Sequence, residues 1–351
     1  MANAADMMAR AECALQERNL ARALALFHRA EAQGYDPDRC AGGRWMTAML
    51  SGDFAAAWCE SDAIRLRRRP DPHRFWQGED FSCKRVIVRC LHGFGDIVQF
   101  LRYAPLLHAH APNIVAECAP RAVDLVRCLP GIDDVVTWDS EAPDAPPVWD
   151  VQVELMELPY IFRSTLADLP AVTPYLDLPQ AELERASRLL SRGREPNIGV
   201  VWSAGDWNPS RSIPLHLLAP VLARPGCTFV NLQGGPVREQ WADLSDVANL
   251  RDVPELTDAG LVPLAAVIAQ LDLIITVDTL AAHLAGALNI PCLLLLQYAA
   301  DWRWMIDRDD SPWYPSLRLV RQPKPNDWQG AVLNLNRILD QWFANRIRVA
   351  A

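Results

Sequence analysis

Asp96 stands in the run Leu91-His92-Gly93-Phe94-Gly95-Asp96-Ile97, where two glycines and a carboxylate open a helical pattern. Glycines let the backbone carry such a carboxylate to the rim of a sheet, where it can take a proton from a bound hydroxyl. The plainer use of Asp96 is as a helix cap, worth about 1 kcal/mol. A dinucleotide fingerprint is disfavoured, because the third glycine of G-x-G-x-x-G falls on Val98.

A second chemical cluster is Val277-Asp278-Thr279-Leu280-Ala281-Ala282-His283, which follows an apolar run and opens a helix rich in small residues. A helix start offers free N–H groups and partial positive charge to a phosphate, and Thr279 adds a hydroxyl. Asp278 would cap that helix or bind a sugar hydroxyl. His283, about one turn in, either meets the ligand or is a core histidine. The loop Trp202 to Pro214 supplies Ser203, Arg211 and Ser212. Arg211 is the cation expected on a diphosphate, since its guanidinium fork matches phosphate geometry. Leu232-Gln233-Gly234-Gly235-Pro236 is a close-approach turn in which backbone groups and Gln233 could read a nucleobase. Trp302, Trp304 and Trp313 would stack on a sugar or base, or pack beside their proline turns.

These runs need elements to hold them. Arg85–Leu91 is a short apolar run with β-branched residues, followed by a glycine turn and a helical pattern from Ile97 to Leu107. The alternation recurs with Asn113–Cys118, the helix Arg121–Cys128, Asp134–Thr137 and Trp149–Val153. It restarts after a proline-bearing linker, Pro170–Pro196, with Asn197–Trp202, Thr228–Leu232, Leu273–Val277 and Cys292–Leu296. Such alternation predicts two mainly parallel sheets covered on both faces, with the ligand cleft at their carboxyl ends.

The first sixth of the chain is helical and repeats with a shift of 34 residues, which sets Arg18-Asn19 on Gly52-Asp53 and Ala23 on Ala57. That is the tetratricopeptide period. Leu24, Phe27 and Trp58 are expected to supply the bulk that neighbouring hairpins bury. So short an array should lean on the adjoining α/β part as a structural cap, or serve as a docking surface for a partner. Arg67-Arg68-Arg69-Pro70-Asp71-Pro72 should end the helices.

The length of 351 residues and a hydrophobic half exclude wholesale disorder or a coiled-coil rod. A net charge of -9 provides no overall field for nucleic acid or anionic lipid. The nine cysteines include no C-x-x-C pair and are expected to be buried thiols in a reducing compartment. With no leader-like or membrane-spanning run, the expected location is the cytoplasm.

Read in order, H-G-F-G-D-I-V-Q-F-L-R-Y-A-P-L-L (His92–Leu107), R-S-I-P-L (Arg211–Leu215), V-D-T-L-A-A-H-L-A-G-A-L (Val277–Leu288) and D-W-R-W-M-I-D-R-D-D-S-P-W-Y-P (Asp301–Pro315) resemble bacterial tetratricopeptide-repeat glycosyltransferases. These are relatives of glycosyltransferase family 9, the ADP-heptose:lipopolysaccharide heptosyltransferases. The resemblance implies an α/β chain of GT-B architecture, with two Rossmann-like domains preceded by a short all-α tetratricopeptide-like segment. Residues 1–68 would be the repeats, 69–180 the acceptor domain, 181–330 the nucleotide-sugar domain and 331–351 a C-terminal helix. It further implies Asp96 as catalytic base, Arg211 on the departing diphosphate, and Asp278, Thr279 and His283 at the donor site; Gly93, Gly95, Ser203, Ser212 and Gln233 complete the expected donor and phosphate site. The implied activity is an inverting, metal-independent transfer, hexosyl- or heptosyltransferase-like, from a nucleotide-sugar co-substrate to a glycan or protein acceptor, with no other cofactor. The alternative is a catalytically degenerate GT-B protein that binds nucleotides or acts as a scaffold.

Overall fold

The computed structural model describes residues 3–67, 75, 76, 78–138, 148–190, 195–244, 247 and 249–350. The fourth helix ends at Leu66 with Arg67 as its C-cap, at the start of the expected stop Arg67–Pro72; the rest of that stretch, and with it the boundary after residue 68, lies outside the described residues.

Four helices come first: α1 (Ala4–Gln16), α2 (Leu20–Ala32), α3 (Pro37–Ser51) and α4 (Phe54–Leu66). The 34-residue shift is visible in their caps. Asn19 accepts from Arg22 N–H to start α2, and Asp53 accepts from Ala56 N–H to start α4. The residue before each cap is left-handed, Arg18 at φ 61° and Gly52 at φ 80°, a conformation that glycine adopts without strain. Ala23 and Phe27 are buried between the helices, whereas Ala57 and Trp58 are buried in the core shared with the α/β part, and Leu24 is 40% exposed and joins neither.

A first α/β unit comes next, with β1 (Arg85–Arg89), α5 (Phe94–Phe100), α6 (Ala104–His108), β2 (Asn113–Cys118), α7 (Val123–Val126), β3 (Asp134–Thr137), β4 (Val151–Glu154) and α8 (Leu158–Ile161). The helical pattern expected from Ile97 to Leu107 starts earlier, at Phe94, and passes through a 3-10 turn at Leu101–Tyr103 just before Pro105. Proline lacks the N–H that would continue an α-helical ladder.

The linker carries one helix, α9 (Gln180–Leu189). The second unit runs through β5 (Asn197–Val201), α10 (Leu215–Leu222), β6 (Thr228–Asn231), β7 (Leu250–Asp252), α11 (Pro254–Thr257), α12 (Leu261–Ile268), β8 (Leu273–Val277), α13 (Leu280–Ala287), β9 (Cys292–Leu296), β10 (Leu317–Arg321) and α14 (Trp328–Ala350). Strands β7 and β10 escape a pattern search: Leu-Arg-Asp and Leu-Arg-Leu-Val-Arg are short and broken by charge.

Both sheets are parallel, ordered β3-β2-β1-β4 and β7-β6-β5-β8-β9-β10. The second is the doubly wound nucleotide-binding order, and the first is its leading part. Strands β5, β8 and β9 are buried at every residue, as expected of a parallel sheet covered on both faces. Strand order reverses between β1 and β4 in one sheet and between β5 and β8 in the other, and ligands of such folds bind at those crevices.

The helical segment grips both units. Trp58 Nε1 donates to Ser164 O at 2.7 Å, and Asp62 pairs with Arg163 at 2.7 Å, on the first. On the second, Trp45 meets Trp302 edge to face at 5.6 Å, and Ile306 N–H donates to Leu50 O at 3.1 Å. None of the nine cysteines forms a disulfide; six are buried, but Cys13, Cys59 and Cys83 are exposed, contrary to expectation. No described helix is long and apolar enough to cross a membrane.

Candidate functional site

At the reversal point of the first sheet, β1 ends and the chain turns through Gly93 into α5. Gly93 N–H donates to Asp96 Oδ2 at 3.0 Å, so Asp96 does cap its own helix. Its other oxygen, Oδ1, accepts from Arg303 Nη1 at 2.7 Å, a bond that crosses from the second unit to the first. With one bond on each oxygen the carboxylate is oriented, and each oxygen keeps a second lone pair for a further donor. Gly95 has a packing role: a Cβ there would lie 2.6 Å from Cδ2 of His283, so glycine is what lets α5 approach α13.

Arg303 is the hub. Besides Asp96, its Nη1 reaches Gln99 Oε1 at 2.9 Å and its Nε reaches Asp301 Oδ1 at 2.8 Å. Its guanidinium lies 5.6 Å from the ring of Phe100 in the first unit and 5.7 Å from that of Trp302 in the second. Burial opposes its charge, but Asp301, Asp96 and Asp278 outweigh burial and hold it more firmly protonated than a free arginine. A second buried arginine points the other way across the joint: Arg102 Nη1 donates to Trp313 O at 2.6 Å and Nη2 to Tyr175 Oη at 2.8 Å.

At the reversal point of the second sheet, Thr279 is the N-cap residue of α13 but makes no side-chain cap bond. Side chains therefore leave the leading N–H groups of the helix unclaimed, as an anion site requires. Thr279 Oγ1 lies 3.1 Å from Thr276 Oγ1. Asp278 is buried and does not cap the helix. Burial pushes its carboxyl up to about 6, with Arg303 pulling the other way. Arg211 reaches the same spot, its Nη1 donating to Asp278 O at 3.0 Å while its Nε is buried without a partner.

Ser203 and Ser212 tie the loop after β5 together: their hydroxyls are 3.2 Å apart and Ala204 N–H donates to Ser212 Oγ at 3.0 Å. Gln233 is spent on the same task. Its Oε1 accepts from Trp202 and Ser203 N–H, and its Nε2 donates to Ser203 O and Gly234 O, at 2.9 to 3.2 Å. His283 is 3% exposed, its Nδ1 is 3.0 Å from Tyr314 Oη, and its ring packs on Trp304 and Tyr314. Burial, then the charges of Arg303, Arg102 and Arg211, hold it neutral well below the ordinary histidine range. Trp302, Trp304 and Trp313 are likewise buried, so they pack rather than offer a stacking face.

Three residues at this site were not among those expected from the sequence. Glu154, at the end of β4, is buried, accepts from Met156 N–H at 2.7 Å and sits with Oε1 3.3 Å from His92 Nε2. Burial pushes its carboxyl up to about 8, reinforced by Glu157 and Asp96. Glu157 itself collects N–H groups of Glu154, Phe75 and Trp76 at 2.9 to 3.3 Å. The signal for Glu154 was an acid closing the apolar alternation Val-Gln-Val-Glu at a strand's carboxyl end. That for Arg303 was a lone charge inside Trp-Arg-Trp.

No family model matches the chain. Protein FlbA of Caulobacter vibrioides is 27% identical over 290 residues, which make up 77% of this chain and 48% of FlbA. The chain thus spans about half the length of that curated relative. Among solved structures, ADP-heptose lps heptosyltransferase II of E. coli matches with a TM-score of 0.56 at 16% identity, over 76% of this chain and 100% of that one. The glycosyl transferase family 9 protein of Veillonella parvula matches with a TM-score of 0.53 at 14% identity, over 69% and 87%. The chain has a GT-B-like fold. At these identities the likeness is one of architecture: two parallel α/β units facing each other, as in the family 9 heptosyltransferases.

Proposed function

We propose that this chain is a glycosyltransferase that moves a sugar from a nucleoside-diphosphate sugar to a hydroxyl of a glycan or protein acceptor. The observation that carries this reading is the meeting of both sheet reversal points at Arg303, which binds Asp96 from one side and borders Asp278 on the other. The donor diphosphate would lie on the uncapped start of α13 at Thr279 and on Arg211, where the unpartnered Nε awaits an acceptor. Asp96, held by Gly93 N–H and Arg303, would take the proton of the acceptor hydroxyl as that oxygen attacks the anomeric carbon. The diphosphate leaves from the opposite face with inversion, its charge met by Arg211 and the helix start in place of a metal. Gly93, Gly95 and His283 would shape the joint between the halves, while Ser203, Ser212 and Gln233 hold the donor loop. The helices before the first unit would be two tetratricopeptide-like repeats that cap the two units, with a docking surface for a partner as the alternative, and the unpaired thiols fit a cytoplasmic protein.

The second reading, a degenerate GT-B protein that binds without turnover, has its own support: Asp96 already serves as a cap and an ion-pair partner. A thermal-shift screen against ADP, UDP, GDP, CMP and their sugar conjugates tests both. A ligand at 100 times its Kd stabilises the fold by about 2.7 kcal/mol. A shift with one nucleotide class defines the donor, and Asp96→Asn should then abolish transfer while leaving that shift intact. Undiminished transfer in Asp96→Asn removes Asp96 as the base, and no shift with any nucleotide removes the donor reading altogether.

A further inference from the structure

Trp207 is 83% exposed, as much as any large apolar side chain in the described residues, while Trp202, Trp304 and Trp313 are almost wholly buried. An indole in water forgoes most of the gain that burial would bring, so its position carries information. It stands in the loop after β5, at the reversal point of the nucleotide-binding sheet. The ring centre is 5.3 Å from the Arg211 guanidinium, and Arg211 in turn bonds Asp278 O at the end of β8. The loop is anchored on both sides: its start, Trp202 and Ser203, bonds Gln233 just past β6, while Ser210, nearer Trp207, bonds Gln297 just past β9. With Ser210 and Arg211 both tied to the β8 and β9 side, the Trp207 end of the loop lies over that side of the crevice. In the doubly wound order the nucleoside lies on the side of the strand after the first, here β6, so the other half of a ligand that straddles the reversal point lies over β8 and β9.

We infer that Trp207 is the stacking platform for the sugar half of the donor, an inference that rests on the nucleotide-sugar reading above. A pyranose presents one face of C–H groups with its hydroxyls turned sideways. That face matches the partly negative face of an indole, which is flat, apolar and already flanked by the cation expected on the diphosphate. Arg211 and Trp207 together would read a charge next to an apolar sugar face.

The test is isothermal titration of the full chain and of Trp207→Ala and Trp207→Phe with ADP, UDP and GDP, and with the glucose and mannose conjugates of each. The expected result is that Trp207→Ala weakens the matching sugar conjugate by roughly 5- to 30-fold, leaves its parent diphosphate unchanged, and is rescued by Trp207→Phe. Equal loss for the parent and the conjugate would place Trp207 on the nucleotide or on Arg211 and overturn the inference, as would no loss for either. If the unaltered chain binds none of the probes, the nucleotide-sugar reading fails first and this inference with it.

Discussion

The guanidinium of Arg303 bonds the carboxylate of Asp96 at 2.7 Å, tying the helix that opens the first α/β unit to the Trp-Arg-Trp turn of the second. The two residues belong to different units. The candidate base is thus oriented by a charge that arrives only when the two halves dock.

Removing that charge should be costly. Arg303→Met leaves Asp96 and Asp301 facing each other without a cation, and loss of one member of a buried ionic cluster typically costs about 3–5 kcal/mol. Both carboxylates retain some solvent contact, which places the expected loss at the lower end. Arg303→Lys keeps the charge but not the fork, and should fall between. Urea midpoints decide it: a loss under about 0.5 kcal/mol in Arg303→Met, the range of a neutral surface change, would mean the bond does not couple the units.

Gly95→Ala should destabilise the protein although alanine is the better helix former, because its Cβ would lie 2.6 Å from the ring of His283. Overpacking of this kind costs about 1–3 kcal/mol. His283→Ala should recover part of that loss, so a double-mutant cycle should show coupling between residues 95 and 283. Additive losses would contradict the contact.

Protonation of Glu154 couples folding to pH. Its carboxyl is pushed from an ordinary 4.5 up to about 8, so the folded chain keeps a proton that the unfolded chain releases over that interval. Stability therefore falls as pH rises through the window, and Glu154→Gln should flatten the fall. Asp278 acts with the same sign between 3.8 and about 6. His283 acts oppositely: its folded form resists protonation, so stability is lost as pH drops below the ordinary 6.5. Urea midpoints at about pH 5 and about pH 8 for the unaltered chain and Glu154→Gln measure the difference, and identical slopes would sink the assignment.

Deletion of residues 1–66 should uncover Trp302, Trp313 and the backbone of Ser164, which Trp45, Phe54 and Trp58 now cover. An apolar patch of that kind drives aggregation. Gel filtration of the shortened chain should show aggregates. A monodisperse product with an unchanged Tm would mean that the helices dock without supporting the units, and would favour a partner-binding role.

Much of the architecture was legible because its signals are local. Continuous apolar runs marked β5, β8 and β9, and the 34-residue shift marked two helical hairpins down to the capping positions Asn19 and Asp53. The loops that would carry chemistry were found for the same reason, since glycines, a hydroxyl and a carboxylate after a strand are neighbours in the chain. Strands β7 and β10 were not, because a short edge strand broken by charge has no periodicity to read.

Residue order alone was therefore enough to place the central strands of both sheets, the helical hairpins and the loops at the carboxyl ends of those strands. How those loops are used emerged only from packing in three dimensions. Burial made His283 and the three tryptophans packing groups, and pushed the carboxyls of Glu154 and Asp278 above their ordinary range. Contact between residues 207 positions apart made Arg303 the partner of Asp96. Desolvation and long-range pairing depend on what surrounds a side chain in space, and the order of residues along the chain does not state that.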